Sequence, residues 1–370
     1  MKIAIALGTR PEIIKLSPVI RELEARAADY FIIHSNQHYS YEMDRIFFEE
    51  LELPKPKYNL GVRSASNAKQ IAQMMQEMEE ILLKEKPDVL FVQGDTNTVL
   101  ASAIAAHKIG ILIAHIEAGL RSFDRRMPEE ANRIIVDHIS DYLFPPTNEA
   151  KLNLRREGIG LKEMITWRGP FTPKIFVTGN TSVDATKQNL DLAEETFPNY
   201  VESLGLKPKE YLLVTAHRAE NVDRPEVLKE FLEAFREIST ETNKKVIYPI
   251  HPRTRKRVEE FGLTTKGIKI IDPPGYLEFL LLQKSAACIL TDSGGVQEEA
   301  CTLGIPCVVL RKSSDRPESI SAGGAILGGV EKNEIKKAFG TIQSAKSWPN
   351  PYGNGFAARQ IVDEVIKGLL

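Results

Sequence analysis

The chain has 370 residues, 42% of them hydrophobic and 26% charged, the composition of an ordinary globular protein and not of a disordered or fibrous one. Its 48 Lys and Arg against 50 Asp and Glu leave a net charge of −2, which excludes a globally basic nucleic-acid binder. No apolar run reaches the roughly 18 residues of a membrane span, and the opening MKIAIALGTRPE lacks a small-residue cleavage site, so neither a membrane anchor nor a signal peptide is expected.

At about 150 residues per domain the length predicts two domains. Cys288, Cys301 and Cys307 show no CxxC spacing, which predicts neither a disulfide framework nor a metal site and fits a cytoplasmic, metal-free protein. In chain order, short apolar runs at 3–7, 31–34, 89–92, 111–116 and 142–144 read as buried strands. Helix-length segments at 11–28, 66–86 and 97–108 separate them. The pattern then repeats with strands at 211–215, 245–250, 268–271, 288–291 and 307–310. Such alternation predicts an α/β fold of right-handed crossovers and parallel sheets covered on both faces. The Pro- and Gly-rich stretch 168–180 is the best boundary, placing one domain at 1–172 and a second at 173–355. Two Rossmann-like domains facing a cleft are therefore expected, with ligands beyond the carboxyl ends of the strands.

The residues after each strand carry the chemistry. The first strand runs into Gly8-Thr9-Arg10-Pro11-Glu12, with Lys15 on the new helix. Arg10 and Lys15 would stand near a helix N-terminus, which favours anions, although solvated charges at a strand–turn–helix junction would read the same. Neither a GxGxxG nor a Walker loop is present, which argues against a dinucleotide cofactor or ATP hydrolysis. The third strand ends in Gln93-Gly94-Asp95-Thr96, where Asp95 is either a helix cap or a functional carboxylate. Glu117 follows the next strand, and Glu129 and Glu130 open a helix, a place where acids also merely complement the dipole. Three acidic sets at the strand ends of one domain point to acid/base chemistry.

In the second half His217-Arg218 and His251-Pro252-Arg253 each follow a strand. Each pairs a His with an Arg, which suits an anionic ligand. The sharpest motif is Thr291-Asp292-Ser293-Gly294-Gly295-Val296-Gln297-Glu298-Glu299. Its amides and helix N-terminus can cradle a diphosphate, and its Glu pair can accept ribose hydroxyls. A glycine-rich turn with dipole-favoured acids is the competing reading. Arg316 offers a countercharge nearby in sequence.

GTRPEIIKLSPV, QGDTNTVLA, HIEAGLR, MPEEANR, TAHRAENV, YPIHPR and TDSGGVQEEA occur here in one order. In them the chain resembles the non-hydrolysing UDP-N-acetylglucosamine 2-epimerases. The resemblance implies the glycosyltransferase-B architecture, with a C-terminal helix at about 356–370 crossing back to the first domain. It implies reversible epimerisation of UDP-GlcNAc to UDP-ManNAc by elimination of UDP to a 2-acetamidoglucal and readdition, without cofactor or metal. By motif position Asp95, Glu117 and Glu129 resemble the family's acid/base carboxylates, and His217 its active-site histidine. Arg10, Lys15, Ser293, Gly294, Gly295, Glu299 and Arg316 match positions that hold UDP, and Phe279 matches the uracil side. Two departures stand out: Pro274 replaces a Gln found in some relatives, and Ser40 replaces the last Gln of an activating Gln-His element that keeps Gln37 and His38. A homodimer is implied as well. A hydrolysing relative releasing ManNAc and UDP, a glycosyltransferase and a sugar-nucleotide-binding module are the alternatives.

Overall fold

The computed structural model describes every residue except 38–40, 63–64, 167–168, 346 and 370. The chain divides into two compact units, Met1–Ala185 with Gly353–Leu370, and Thr186–Tyr352. His38 and Ser40 of the Gln-His element, and Trp167 and Arg168 of the mid-chain stretch, lie outside the described residues.

The first unit contains β1 (Lys2–Leu7), β2 (Asp29–His34), β3 (Tyr58–Asn59), β4 (Val89–Gln93), β5 (Leu112–Ile116) and β6 (Tyr142–Phe144). An antiparallel hairpin of β7 (Met164–Thr166) and β8 (Gly169–Phe171) precedes β9 (Lys174–Ile175). The seven-stranded sheet has the order β3-β2-β1-β4-β5-β6-β9. All its ladders are parallel. Ile3, Ala4, Ile5, Ala6 and Leu7 are all fully buried, because helices cover both faces of a parallel sheet. Strand order reverses between β1 and β4, the point where such sheets open a crevice for ligands.

The second unit repeats the scheme with β10 (Tyr211–Thr215), β11 (Lys245–Pro249), β12 (Lys269–Ile271), β13 (Cys288–Thr291), β14 (Cys307–Val309) and β15 (Ala325–Leu327). Its sheet has the order β12-β11-β10-β13-β14-β15, again all parallel. The reversal falls between β10 and β13. Phe231, Phe235 and Tyr248 anchor its core, whereas the core of the first unit is built on small and branched residues such as Ala4, Ala6, Val92 and Ile113.

The structure departs from the sequence reading in where the units part and in several short elements. The units part at Ala185 and Thr186, not at 172 and 173. The reason is β9: Lys174 pairs with Tyr142 and Ile175 with Leu143, so the Pro-rich stretch extends the first sheet. Phe176 stacks on Phe144 at 6.0 Å between ring centroids and reinforces that edge. The change of unit lies within the helix Thr181–Thr196. The helix Tyr41–Glu50 and the short β3 were not anticipated either. At the other end of the chain, the helix Ala357–Leu369 belongs to the first unit. Asp363 pairs with Arg26 at 2.7 Å, and the Ala358 amide donates to Asp184 Oδ1 at 2.9 Å.

Gly119 fixes the loop after β5. Its φ is +77°, and a Cβ there would lie 2.3 Å from the Ala150 carbonyl oxygen. Gly119→Ala should therefore lower the unfolding free energy by more than the roughly 1–2 kcal/mol of a left-handed L-residue, measured by urea denaturation. A change below about 0.5 kcal/mol, the scale of a bland surface substitution, would contradict this packing.

Candidate active site

In the first unit, the loops after β1, β4 and β5 are tied to one another by charge. Lys15 Nζ donates to both carboxylate oxygens of Glu117, at 2.9 and 2.7 Å, and Gln93 at the end of β4 donates its amide to the same carboxylate. Glu117 itself is buried and sits at φ +69°, a left-handed conformation that only a well-determined surrounding holds for a non-glycine residue. Asp95 is held from the helix Pro128–Ile139: Arg133 donates to its Oδ2 from Nε at 2.8 Å and from Nη2 at 2.5 Å. The same guanidinium donates to Glu130 at 2.9 Å. Glu130 is buried and also accepts from the amides of Ser122 and Phe123, and it titrates below the usual carboxylate range because these donors outweigh its burial. Glu129, by contrast, is exposed and has no hydrogen-bond or ion-pair partner among the described residues.

Beneath these loops lies a buried network. His115 Nδ1 is 2.7 Å from Asp137 Oδ1, and its Nε2 is 2.8 Å from the Gly94 carbonyl oxygen. Arg121 pairs with the other Asp137 oxygen at 2.8 Å and with Glu157 at 2.7 Å. Burial alone would raise the Asp137 carboxyl, but His115 and Arg121 hold it below its ordinary value. Removing one partner of such a buried pair leaves an uncompensated charge, at a cost of about 3–5 kcal/mol. The network thus fixes the backbone beside Asp95 and Glu117 from below.

In the second unit the same arrangement is organised by Asp292. Its buried carboxylate accepts from the amides of His217 at 3.0 Å and Arg218 at 2.9 Å, and from Asn221 Nδ2 at 3.1 Å. His217 Nδ1 lies 3.3 Å from Asp292 Oδ1. Burial opposes the charge on Asp292, yet His217 and the amide donors keep its titration below the usual range. The imidazole of His217 is 46% exposed, and its Nε2 has no partner among the described residues. His251 faces it, with ring centroids 6.2 Å apart; burial, His217 and Arg253 push the His251 imidazole to a lower pKa.

Ser293 caps the helix Gly294–Leu303, accepting from the Val296 amide at 3.4 Å. The first amides of a helix have no intrahelical partner, so those of Gly294 and Gly295 form an anion-ready end. A Cβ at Gly295 would meet only Ser293 Oγ, at 3.9 Å, while one at Gly294 would lie 3.2 Å from Asp315. Arg316 pairs through Nε with the buried Glu298. Glu299 accepts from Gln283 at 2.7 Å, and Gln283 shares the helix Tyr276–Ser285 with the half-buried Phe279.

A family model for UDP-N-acetylglucosamine 2-epimerases matches residues 21–366. A curated relative from Methanocaldococcus jannaschii, named UDP-N-acetylglucosamine 2-epimerase, is 55% identical over 98% of this chain and 98% of its own length. The chain belongs to the UDP-N-acetylglucosamine 2-epimerase family. The crystal structure of the M. jannaschii UDP-GlcNAc 2-epimerase in complex with UDP-GlcNAc and UDP aligns over 100% of both chains, with a TM-score of 0.85 and 54% identity. A Pseudomonas aeruginosa relative named UDP-2,3-diacetamido-2,3-dideoxy-D-glucuronate 2-epimerase is 39% identical over 99% of this chain.

Within this family member the sequence-predicted residues fall into two groups. Lys15, Asp95, Glu117 and Glu129 follow strands or open helices of the first unit, as does Arg10, whose guanidinium lies 4.9 Å from the Phe47 ring centroid. His217, Phe279, Ser293, Gly294, Gly295, Glu299 and Arg316 belong to the second unit. Lys15, Glu299 and Arg316, expected to face UDP, engage Glu117, Gln283 and Glu298. Arg133, Gln93, Asp292 and Glu12 were not singled out, although each stands inside or beside a quoted motif. A charged or amide side chain left without a role in a dense motif was the available signal.

Glu12 is buried at 2% exposure. Burial pushes its carboxyl up from 4.5 to about 7, against hydrogen bonds from Thr96, Thr9 and Gly8 that pull it down. Between those pH values the folded protein holds a proton that the unfolded chain has released, so stability present below 4.5 is lost as pH rises through about 7. Glu12→Gln, which cannot ionise, should lose less stability than the wild type over that interval in urea unfolding. An equal loss would contradict the burial of a titrating carboxylate.

Proposed function

We propose that this chain is a non-hydrolysing UDP-GlcNAc 2-epimerase that interconverts UDP-GlcNAc and UDP-ManNAc. The observation that carries the reading is the pair Asp95 and Glu117, carboxylates at neighbouring strand ends that are each held by a cation of their own. A glycosyltransferase or a binding module has no use for two proton carriers set side by side. The identity of 55% to a relative named UDP-N-acetylglucosamine 2-epimerase, against 39% to one named for a diacetamido-glucuronate, favours UDP-GlcNAc as substrate.

No carbonyl adjoins C2 of the sugar, so removal of its proton needs a leaving group to take up the electron pair. In the proposed course a carboxylate of the first unit takes the C2 proton while the C1–O bond breaks. The electron pair of the C–H bond forms the C1=C2 double bond of 2-acetamidoglucal, and the C1–O pair departs on UDP. A second carboxyl group, protonated at the outset, delivers its proton to the opposite face of C2 as UDP adds back to C1 and is left as the carboxylate that serves as base in the reverse direction. Asp95, paired with Arg133, and Glu117, paired with Lys15, are the two carriers: one begins as the base and the other protonated, and the roles exchange in the reverse direction. Glu129, in the first turn of the helix that carries Arg133, is the third carboxyl of this reading.

The second unit holds the nucleotide in this reading. The amides of Gly294 and Gly295 and the helix end capped by Ser293 receive the diphosphate, with Arg316 as a countercharge. Glu299 accepts ribose hydroxyls and Phe279 lies against uracil. Asp292 fixes the tautomer and orientation of His217, whose Nε2 meets charge developing on the departing diphosphate.

Incubating the pure protein with UDP-GlcNAc and following products by NMR should give a mixture of UDP-GlcNAc and UDP-ManNAc. Free ManNAc with UDP would replace this reading by the hydrolysing one, and no turnover would remove both. Asp95→Asn, Glu117→Gln and Glu129→Gln should each lower kcat by roughly 10²-fold or more with little change in UDP affinity. Ser293→Ala and Arg316→Ala should mainly weaken UDP binding. Equal loss of UDP affinity in all five, with kcat retained, would contradict this division of roles.

A further inference from the structure

Glu12 closes the Thr9-Arg10-Pro11-Glu12 stretch, whose T-x-x-E spacing is that of a helix capping box. A capping box accounts for an acid at this position but not for its surroundings. Capping acids sit at a solvated helix end, whereas Glu12 is only 2% exposed. A buried carboxylate is costly unless donors surround it, and Glu12 has donors from two different strand ends. Its Oε2 accepts from the Gly8 amide at 3.0 Å and from Thr9 Oγ1 at 2.8 Å. Its Oε1 accepts from Thr96 Oγ1 at 2.8 Å. Gly8 and Thr9 follow β1, and Thr96 follows β4.

These are the two strands between which the order of the first sheet reverses. Beyond their paired residues, which end at Ile5 and Phe91, the two loops share no backbone ladder. Glu12 supplies a direct side-chain link between them, beside the indirect one through Lys15, Glu117 and Gln93. Thr9 precedes Arg10, and Thr96 follows Asp95. The side chain of Asp95 is fixed by Arg133, and its backbone carbonyl accepts from Asn132 at 2.8 Å, so the helix Pro128–Ile139 holds it from the β5 side. Nothing in that set holds it against the β1 loop.

We propose that Glu12 is a positioning residue, whose carboxylate locks the β1 loop to the β4 loop and so sets the distance between Arg10 and Asp95. Glu12 acts through Thr9 and Thr96 and need not touch the substrate. The tie rests on the reading of Asp95 as a proton carrier. Misplacing a reacting group by about 1 Å can cost on the order of 10²-fold in rate, so loss of the tie should appear in kcat.

Thr96 separates this role from capping, because changing it leaves the Glu12 bonds to Gly8 and Thr9 in place. Thr96→Val, Thr96→Ser, Glu12→Gln and the double variant Glu12→Gln/Thr96→Val are compared in kcat, KM, UDP Kd and Tm. Thr96→Val should lower kcat by about ten- to a hundredfold at nearly unchanged UDP Kd, and Thr96→Ser, which keeps the hydroxyl, should restore it. The double variant should be no slower than the slower single variant, since both break one link. Wild-type kcat in Thr96→Val, with Asp95→Asn inactive, would overturn the Glu12 tie alone. Wild-type kcat in Asp95→Asn would overturn the reading of Asp95 and the tie with it. A kcat loss in Thr96→Val matched by a fall in Tm, with Glu12→Gln at wild-type kcat, would reduce Thr96 to the cap of the helix Asn97–Lys108 and also overturn the proposal.

Discussion

A charge withdrawn from water must be met by an opposite charge or by several donors, and this constraint shapes the segments that follow β1, β4, β5, β10 and β13. The loops have no sheet or helix to fix them. What fixes them is a set of carboxylates, each reached from a neighbouring element: Glu12 by Thr96, Glu117 by Lys15 and Gln93, Asp95 by Arg133, Asp137 by His115 and Arg121, and Asp292 by the amides of His217 and Arg218. Desolvating an ion costs several kcal/mol, which well-placed partners offset only when the geometry is good. The same bonds therefore give order and select one arrangement of the site.

Both units use this device at the same place in their topology. In the first, the β1 and β4 loops flank the reversal of strand order; in the second, the β10 and β13 loops do. Parallel strands bring all their carboxyl ends to one edge, so residues distant in sequence meet there without long connections. Glu12 in one unit and Asp292 in the other each join the two loops at the reversal. The chemistry differs. The first unit gathers carboxylates, and the second gathers a histidine, a serine and open helix amides.

Much of this was legible in the sequence. Apolar runs such as 3–7 and 288–291 are continuous because both faces of a parallel strand are buried, and they located the sheets. Capping and turn residues located the loops, since Thr96 and Ser293 are the kind of residue that starts a helix. The two-residue β9 was missed because Lys174–Ile175 is too short for any periodicity and sits among prolines. Site residues were legible as types but not as partners. Glu129 and Glu130 are adjacent in sequence, yet a 3.6-residue helical turn sends one to solvent and the other under the Ser122 loop. Lys15 reads as an anion-binding cation until folding brings Glu117, distant in sequence, against it. Such pairings depend on three-dimensional register, which a local pattern does not encode.

The central claim is that side chains at these strand ends remove and return the C2 proton. Side-chain carboxyl protons exchange with water quickly, so turnover of UDP-GlcNAc in D2O measures it most directly. UDP-ManNAc formed in that solvent should carry deuterium at C2, seen as loss of the C2 proton signal in NMR. Product that retains its original C2 hydrogen throughout would show an internal transfer and contradict the role given to Asp95, Glu117 and Glu129.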